Sequence, residues 1–251
     1  MCVLAFAWQA HPRWKLVLAG NRDELHSRPA APLARWEDCL PVLAGRDLAS
    51  GGSWLGVSEA GRLAVVTNLR GYGAAQPDRA SRGALVSDAL SGKGRYAHPS
   101  DADLADFNPF NLIVADAQRA SFLTNRPQGE RSELAPGLYG LSNGRLDEPW
   151  PKTMRLKSAM LNWIVGEAVP PEQLLDILAE DRLPNTGVRT ATPSDAPREP
   201  ALSPIFIRDP FYGTRCSTVV AIDDTGAGII IERRFAPSGN SIGETMLRFA
   251  W

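Results

Sequence analysis

Cysteine is scarce in this chain: Cys2, Cys39 and Cys216 are the only three in 251 residues, and no two stand in a CxxC pair. An odd, widely spaced set excludes a disulfide framework and a zinc ribbon, and implies a reducing, cytoplasmic compartment. An excess of positive charge is also lacking, since 27 Lys and Arg face 28 Asp and Glu for a net charge of -1. That balance excludes nucleic acid and anionic membrane surfaces as main partners and leaves a small molecule, uncharged or of mixed charge. No run approaches the roughly 18 to 20 apolar residues of a membrane span. The opening "MCVLAFAW" has no basic residue before it and stops at Gln9, His11, Pro12 and Arg13, unlike a signal peptide. Internal repeats, βαβ alternation and a dividing linker are all missing, so one domain over residues 1–251 is expected.

What is present is a series of paired apolar runs around turn signals. "CVLAFAWQ" and "KLVLAGN" flank "AHPR"; "SWLGV" and "RLAVVTN" flank "SEAG". "NLIVA" and "ASFLTN" flank "DAQR", and "CSTVVAI" and "GIIIERRF" flank "DDTG". These read as four β-hairpins. Between the third and fourth, "WPKTMRLKSAMLNWIVGE" places Leu156, Met160, Trp163 and Ile164 on one helical face, and "PPEQLLDILAEDRL" does the same with Leu174, Ile177 and Leu178. A further helix is expected at "SRGALVSDALSG". Antiparallel sheets carrying helices on their outer faces follow, an α+β layered architecture. The stretch "LPNTGVRTATPSDAPREPALSP" has no periodicity and reads as a loop.

Centring the first turn on His11 and Pro12 pairs residues whose numbers sum to about 23, which sets Trp8 opposite Lys15 and Cys2 opposite Asn21. The polar run Asn21, Arg22, Asp23 and Glu24 then lands beside the start of the chain. Such a run ends a strand in solvent, or else its groups satisfy one another or a ligand. Arg22 and Asp23 are expected as partners inside a site, although neighbouring residues of a regular strand point to opposite faces. The same arithmetic brings Asn68 opposite Gly51 and Gly52, where an amide donor beside closely approaching backbone could make an oxyanion hole, or merely a flexible strand start.

Cys2 carries its own chemistry. Its small side chain permits removal of Met1, and the freed α-amine, with an ordinary pKa of about 7.7 to 8.0, could act as base for the thiol of the same residue. The alternative is an inert buried cysteine at a strand start. With the ammonium and Arg22 nearby, Cys2 is expected to hold its thiolate more readily than Cys39 or Cys216.

The segments "MCVLAFAW", "GNRDE" with Arg28 and Pro29, "LAGRDLASGGSWLGV", "GRLAVVTNLR", "FNLIVAD", "LSNGRLDEPWPK" and "YGTRCSTVV", in this order, resemble the NRDE-motif proteins, also called the Transport and Golgi Organisation two family. The resemblance implies an N-terminal-nucleophile hydrolase-like fold, a four-layer αββα sandwich of two antiparallel sheets. More distantly, the chain resembles the choloylglycine and penicillin-acylase group, which cleave amides with an N-terminal cysteine. That resemblance implies Cys2 as nucleophile, Asn68 as oxyanion asparagine and Asn143 as a later asparagine of the site. Those enzymes carry an Arg followed three residues later by Asp, a spacing held here by Asn21 and Glu24, with Arg22 and Asp23 between them. The expected catalytic set is therefore Cys2, Asn68, Asn143, Asp23 and Arg22, with Asn21, Glu24, Gly51, Gly52 and Arg215 binding substrate. No metal and no cofactor is required.

The same family is associated with intracellular haem trafficking, which implies a different class of function: a haem or lipid carrier using the same cleft. The sequence has no CxxCH attachment site, and His11, His26 and His98 are scattered. A third reading is a fold whose cluster has become purely structural.

Overall fold

The computed structural model describes residues 2–37, 42–168, 170–182 and 203–251. Met1, Cys39 and nearly all of the loop expected at 183–204 lie outside them. In chain order the strands are β1 (Cys2–Trp8), β2 (Trp14–Leu25), β3 (Ala30–Arg35), β4 (Val42–Asp47), β5 (Leu55–Ser58), β6 (Arg62–Asn68), β7 (Phe110–Asp116), β8 (Ala120–Thr124), β9 (Glu130–Leu134), β10 (Gly137–Leu141), β11 (Tyr212–Asp223), β12 (Ala227–Phe235) and β13 (Ser241–Ala250). The helices are α1 (Arg82–Ser91), α2 (Pro151–Val165) and α3 (Leu174–Leu178). A six-stranded sheet runs β10-β1-β2-β11-β12-β13, and a seven-stranded sheet runs β3 to β9 in sequence order. Neighbouring strands in both are antiparallel.

The strands of the hairpin β1–β2 are buried on both faces, which is why they read as nearly continuous apolar runs. Alternation sends Leu4, Phe6, Trp8, Leu16 and Leu18 toward the second sheet, where they meet Leu43, Leu55, Leu63, Val65 and Ile113. The intervening Val3, Ala5, Ala7, Val17 and Ala19 face Leu156, Met160 and Trp163 of α2 and Leu174 and Leu178 of α3. Small residues on that face let the helices lie close, and large ones fill the space between the sheets. On the far side, Val42, Ala44, Ala64 and Val66 pack against Leu85, Val86 and Leu90 of α1. The layers therefore run helix, sheet, sheet, helix, the αββα sandwich.

All four expected hairpins form. The register of the first differs by one residue: Trp8 pairs with Leu16 and Cys2 with Arg22, not Lys15 and Asn21. The reason lies in the turn, where Gln9 adopts a positive φ of 46° and its N–H bonds the Lys15 carbonyl at 2.8 Å, widening the loop. A one-residue shift moves every side chain to the other face, so it is Arg22, not Asn21, that shares a face with Cys2.

Helix α1 sits as expected, with Ser81 capping its start through the Gly83 N–H and Gly92 ending it in the left-handed region at φ 67°. The third amphipathic segment is shorter than its pattern: a 3-10 turn over Pro171–Gln173 precedes the five residues of α3. Strands β3, β4, β9, β10 and β13 carry no clean alternation in the sequence. β3 contains Pro32 within an irregular pairing between Ala31 and Ala34, as expected of an edge strand, and β13 is the mostly exposed other-sheet edge.

Gly51 and Gly52 lie in the turn after β4, not opposite Asn68 within a ladder. The Gly51 N–H bonds the Asp47 carbonyl at 2.7 Å, and the Asp47 N–H bonds the Gly52 carbonyl at 2.8 Å. A Cβ on Gly52 would stand 2.4 Å from the carbonyl carbon of Gly83 in the first turn of α1. Glycine is required there by close backbone approach. Gly52→Ala should therefore push α1 away from its sheet and lower unfolding stability by about 1–3 kcal/mol, read from the midpoint of urea denaturation. An unchanged midpoint would show that α1 does not bear on this turn.

Candidate active site

Where β1, β2 and β11 end, the two sheets part around a cavity of about 500 Å³. Cys2 lines it as the first residue of β1, 9% exposed. The main-chain N–H of Cys2 donates to Asn143 Oδ1 at 3.3 Å, and the Ser142 hydroxyl donates to the Cys2 carbonyl at 2.6 Å. Asn143 follows β10, the neighbour of β1, and is fully buried. Its amide Nδ2 donates to the main-chain carbonyl of Asn68 at 2.8 Å, so the residue that holds the start of β1 also ties it to the end of β6 in the other sheet. The Asn68 side chain lines the cavity and makes no hydrogen bond to the described residues.

Arg22 and Asp23 both line the cavity, but they are not each other's partners. Arg22 lies opposite Cys2 on one side and Cys216 on the other, and its Nη2 meets Asp47 Oδ2 at 3.0 Å, a second link between the sheets. Asp47 also accepts from Arg28 Nε at 2.6 Å. Burial pushes the Asp47 carboxyl up, yet the bond from Arg28 and the charges of Arg28 and Arg22 outweigh it, leaving the group below its ordinary range. Asp23 alternates to the other face, as a strand requires, and accepts from the Thr214 hydroxyl at 2.7 Å. Its carboxyl is pushed up by burial, against the pull of the amino terminus, Lys152 and Thr214.

Of the remaining expected residues, Glu24 lines the cavity beside Arg28 at 3.9 Å and Arg22 at 4.0 Å. Arg215 also lines it, but its Nη1 donates to the carbonyls of Leu25, His26 and Arg28, clamping the segment after β2. It sits where the β2–β11 register slips between Thr214 and Cys216. Asn21 is not brought to the site. Its amide donates to the carbonyls of Leu178 and Ile205 and accepts from Ser217, so it fastens the sheet to the helix layer. Gly51 and Gly52 serve the turn described above and do not line the cavity.

The residue that sequence reasoning missed is Lys152. It is fully buried in the first turn of α2, donates to Ser203 Oγ at 2.7 Å, and its ammonium is pushed down to about 8 by burial, against the opposing charges of Asp23 and Cys2. A signal existed: stepping back four positions from Leu156 along the buried face of α2 arrives at Lys152. For Cys2, burial is the largest influence and raises the thiol above its ordinary range, while the positive amino terminus, the Asp23 N–H and Arg22 pull it down. The Cys216 thiol is raised further, by burial and then by Glu232. The expected ordering against Cys216 therefore stands, although burial raises both thiols, and Cys39 lies outside the described residues.

The family model for "Transport and Golgi organisation 2" matches residues 1–237. The chain belongs to that family. A relative from Bos taurus, "Transport and Golgi organization protein 2 homolog", is 35% identical over 274 residues, covering 98% of this chain and 97% of the relative. Among solved structures, the Caenorhabditis elegans N-acylethanolamine-hydrolyzing acid amidase ortholog superposes with a TM-score of 0.52 at 12% identity, covering 87% of this chain and 92% of the other. A variant of the conjugated bile acid hydrolase from Clostridium perfringens gives 0.51 at 10% identity, covering 100% and 97%. At those identities the likeness is one of fold: this family member has the N-terminal-nucleophile hydrolase architecture.

Charge coupling between Lys152 and Asp23 is testable. Removing the buried cation in Lys152→Met should raise the pH midpoint of the Asp23 carboxyl, followed by carbon-13 NMR, because the carboxylate loses a stabilising charge that is present below about pH 8. Ser203→Ala, which keeps the cation, should move the midpoint less. Coincident profiles for all three proteins would reduce Lys152 to a packing role.

Proposed function

We propose that this protein is an N-terminal-cysteine amidohydrolase acting on a small amide. The observation that carries the reading is the grip of Asn143 on the main-chain nitrogen of Cys2 at 3.3 Å, beside a thiol that lines the cavity. Once Met1 is removed, that nitrogen becomes a free amine already held one residue's width from its own thiol. The Cys2 proton passes to this amine, and the sulfur attacks the carbonyl carbon of the amide. Charge developing on the carbonyl oxygen is met by the Asn68 side-chain amide. The ammonium then returns its proton to the departing nitrogen as the C–N bond breaks, leaving a thioester on Cys2. Water, losing a proton to the same amine, opens the thioester to a carboxylic acid and restores the thiol. Asp23, whose carboxyl feels the amino terminus most strongly among its charged neighbours, orients the amine, and Arg22 fixes the strand end on which both stand.

The carrier reading draws less from the same cavity. None of His11, His26 and His98 lines it, and His26 Nε2 is engaged with the Asp209 carbonyl at 2.9 Å. Among the described residues no group of three or more His, Cys, Asp or Glu is placed to hold a metal ion. The cavity lining includes no His, Met or Tyr among the described residues, which leaves two buried thiols as its soft donors to haem iron. No described helix is long and apolar enough to cross a membrane.

Intact-mass measurement on protein from its native host should show loss of Met1, and a brief incubation with a panel of short-chain N-acyl amides should add one acyl mass that peptide mapping places on Cys2. Cys2→Ala should abolish both adduct and turnover. Full retention of Met1 would overturn the reading.

A further inference from the structure

The charge around the cavity is lopsided in a way that the near-zero net charge of the chain conceals. Seven arginines line it against four carboxylates, Asp23, Glu24, Asp47 and Glu232. Those carboxylates are already engaged. Asp47 is shared by Arg22 and Arg28, and Glu24 lies near the same two arginines. Glu232 accepts from the Leu33 N–H at 2.8 Å and from Arg234 at 3.5 Å, and Asp23 takes the Thr214 hydroxyl.

Opposite them, Arg79 and Arg82 meet only neutral oxygens among the described residues, as does Arg215, whose Nη1 is already spent on three carbonyls at and after the end of β2. Arg82 donates from Nη1 to the Pro109 carbonyl at 3.2 Å. Arg79 donates to Gln76 Oε1 at 2.7 Å and to the Ala105 carbonyl. A guanidinium has five N–H donors, so each retains unused capacity. Arg82 is also the first residue of α1, whose N-terminal end, with Ser81 and Gly83, lines the same wall and adds its partial positive charge. Burial lowers the Arg82 guanidinium most, Arg70 and Arg28 lower it further, and the negative forms of Cys2 and Glu24 would raise it; an anion bound beside it would add to that relief. Cys2 and this wall line the same cavity.

We propose that the wall built by Arg79, Arg82 and the start of α1 is an anion subsite, and that the amide processed at Cys2 carries a carboxylate or phosphate held there. The choice of ligand rests on the amide reading above. Arg82 would offer the paired N–H geometry that carboxylates and phosphates accept, and its placement would orient the scissile amide relative to Cys2. The balanced charge of the sequence concealed this, because compensating carboxylates elsewhere on the chain hide a local excess.

The test measures binding without turnover, by calorimetry on full-length Cys2→Ala protein. The probes are two chain-matched pairs: N-hexanoylglycine against its uncharged glycinamide, and N-hexanoyl-2-aminoethyl phosphate against its uncharged alcohol. At least one anionic probe should bind roughly tenfold more tightly than its neutral partner, and which pair shows the larger ratio identifies carboxylate or phosphate as the group held. Added Arg82→Gln should erase most of that preference, Arg79→Gln part of it, and Arg82→Lys should retain more than Arg82→Gln. Raising the salt concentration should erode the preference in protein that keeps both arginines, which guards against a glutamine variant that fails to fold. Equal affinities within both pairs, no binding by any probe, or a preference that survives Arg82→Gln and Arg79→Gln together would overturn the proposal. Turnover by the protein with Cys2 intact is scored separately: an anion preference without hydrolysis sinks the amidohydrolase reading alone, and hydrolysis of neutral amides without anion preference sinks the subsite alone.

Discussion

Polar straps hold the sheets together at the end where they part, and the two nearest Cys2 fix the backbone around it. Elsewhere the space between the sheets is filled by large apolar side chains such as Phe6, Trp8 and Leu63. At the open end that filling stops, and Arg22–Asp47 at 3.0 Å and Asn143 to the Asn68 carbonyl at 2.8 Å take its place. Arg22 and Asp47 are only 10% and 13% exposed; loss of Arg22 would leave Asp47 with Arg28, whereas loss of Asp47 would leave Arg22 only the longer contact to Glu24 at 4.0 Å. The second strap is the more economical device. One amide, that of Asn143, satisfies a carbonyl of the opposite sheet and the main-chain nitrogen of Cys2 together. The nitrogen on which the proposed chemistry would depend is thus fixed by a group that also ties the two sheets.

The electrostatics of the site follow from this burial. Taking Cys2, Asp23 and Lys152 out of water favours the neutral form of each: the two acids are raised and the lysine is brought down to about 8. A thiol protonated at rest is no obstacle to nucleophilic attack when its base is the amine of the same residue, since the thiolate has only to exist as the carbonyl arrives. Protonation at rest also limits adventitious alkylation and oxidation.

Much of the layer structure was legible in the sequence because its signals are local. Strand alternation, turn residues and the helical faces at Leu85 and Leu156 all report burial within a few positions of themselves. The edge strands β3 and β13 were not, because a strand with one neighbour and an exposed face loses the apolar pattern that announces it. Hairpin arithmetic brought the run holding Arg22 and Asp23 beside Cys2, and family resemblance supplied Asn68 and Asn143. The arithmetic failed at the level of one residue, where the positive φ of Gln9 widened a turn, and that single step exchanged Asn21 for Arg22 on the face of Cys2. Lys152 and the arginine wall were hidden for another reason: long-range partners decide whether a charged residue is solvated or buried, and no local pattern records them.

The cavity holds two thiols, and the geometry decides which can react as proposed. Cys2 and Cys216 both lie opposite Arg22, on the strands to either side of it. Two inter-strand spacings separate their main chains by about 9–10 Å, beyond the roughly 7 Å limit for a disulfide without backbone movement. Neither thiol can therefore mask the other in the folded state. Cys216 stands within β11 between peptide bonds, 6% exposed, with Glu232 raising its thiol, whereas at Cys2 the positive amino terminus acts more strongly than the negative Asp23. The main-chain nitrogen of Cys216 is committed to the amide backbone whatever is trimmed from the chain. Only at Cys2 can one processing event turn a strand's first amide into a base, and Asn143 already occupies the position from which to hold it.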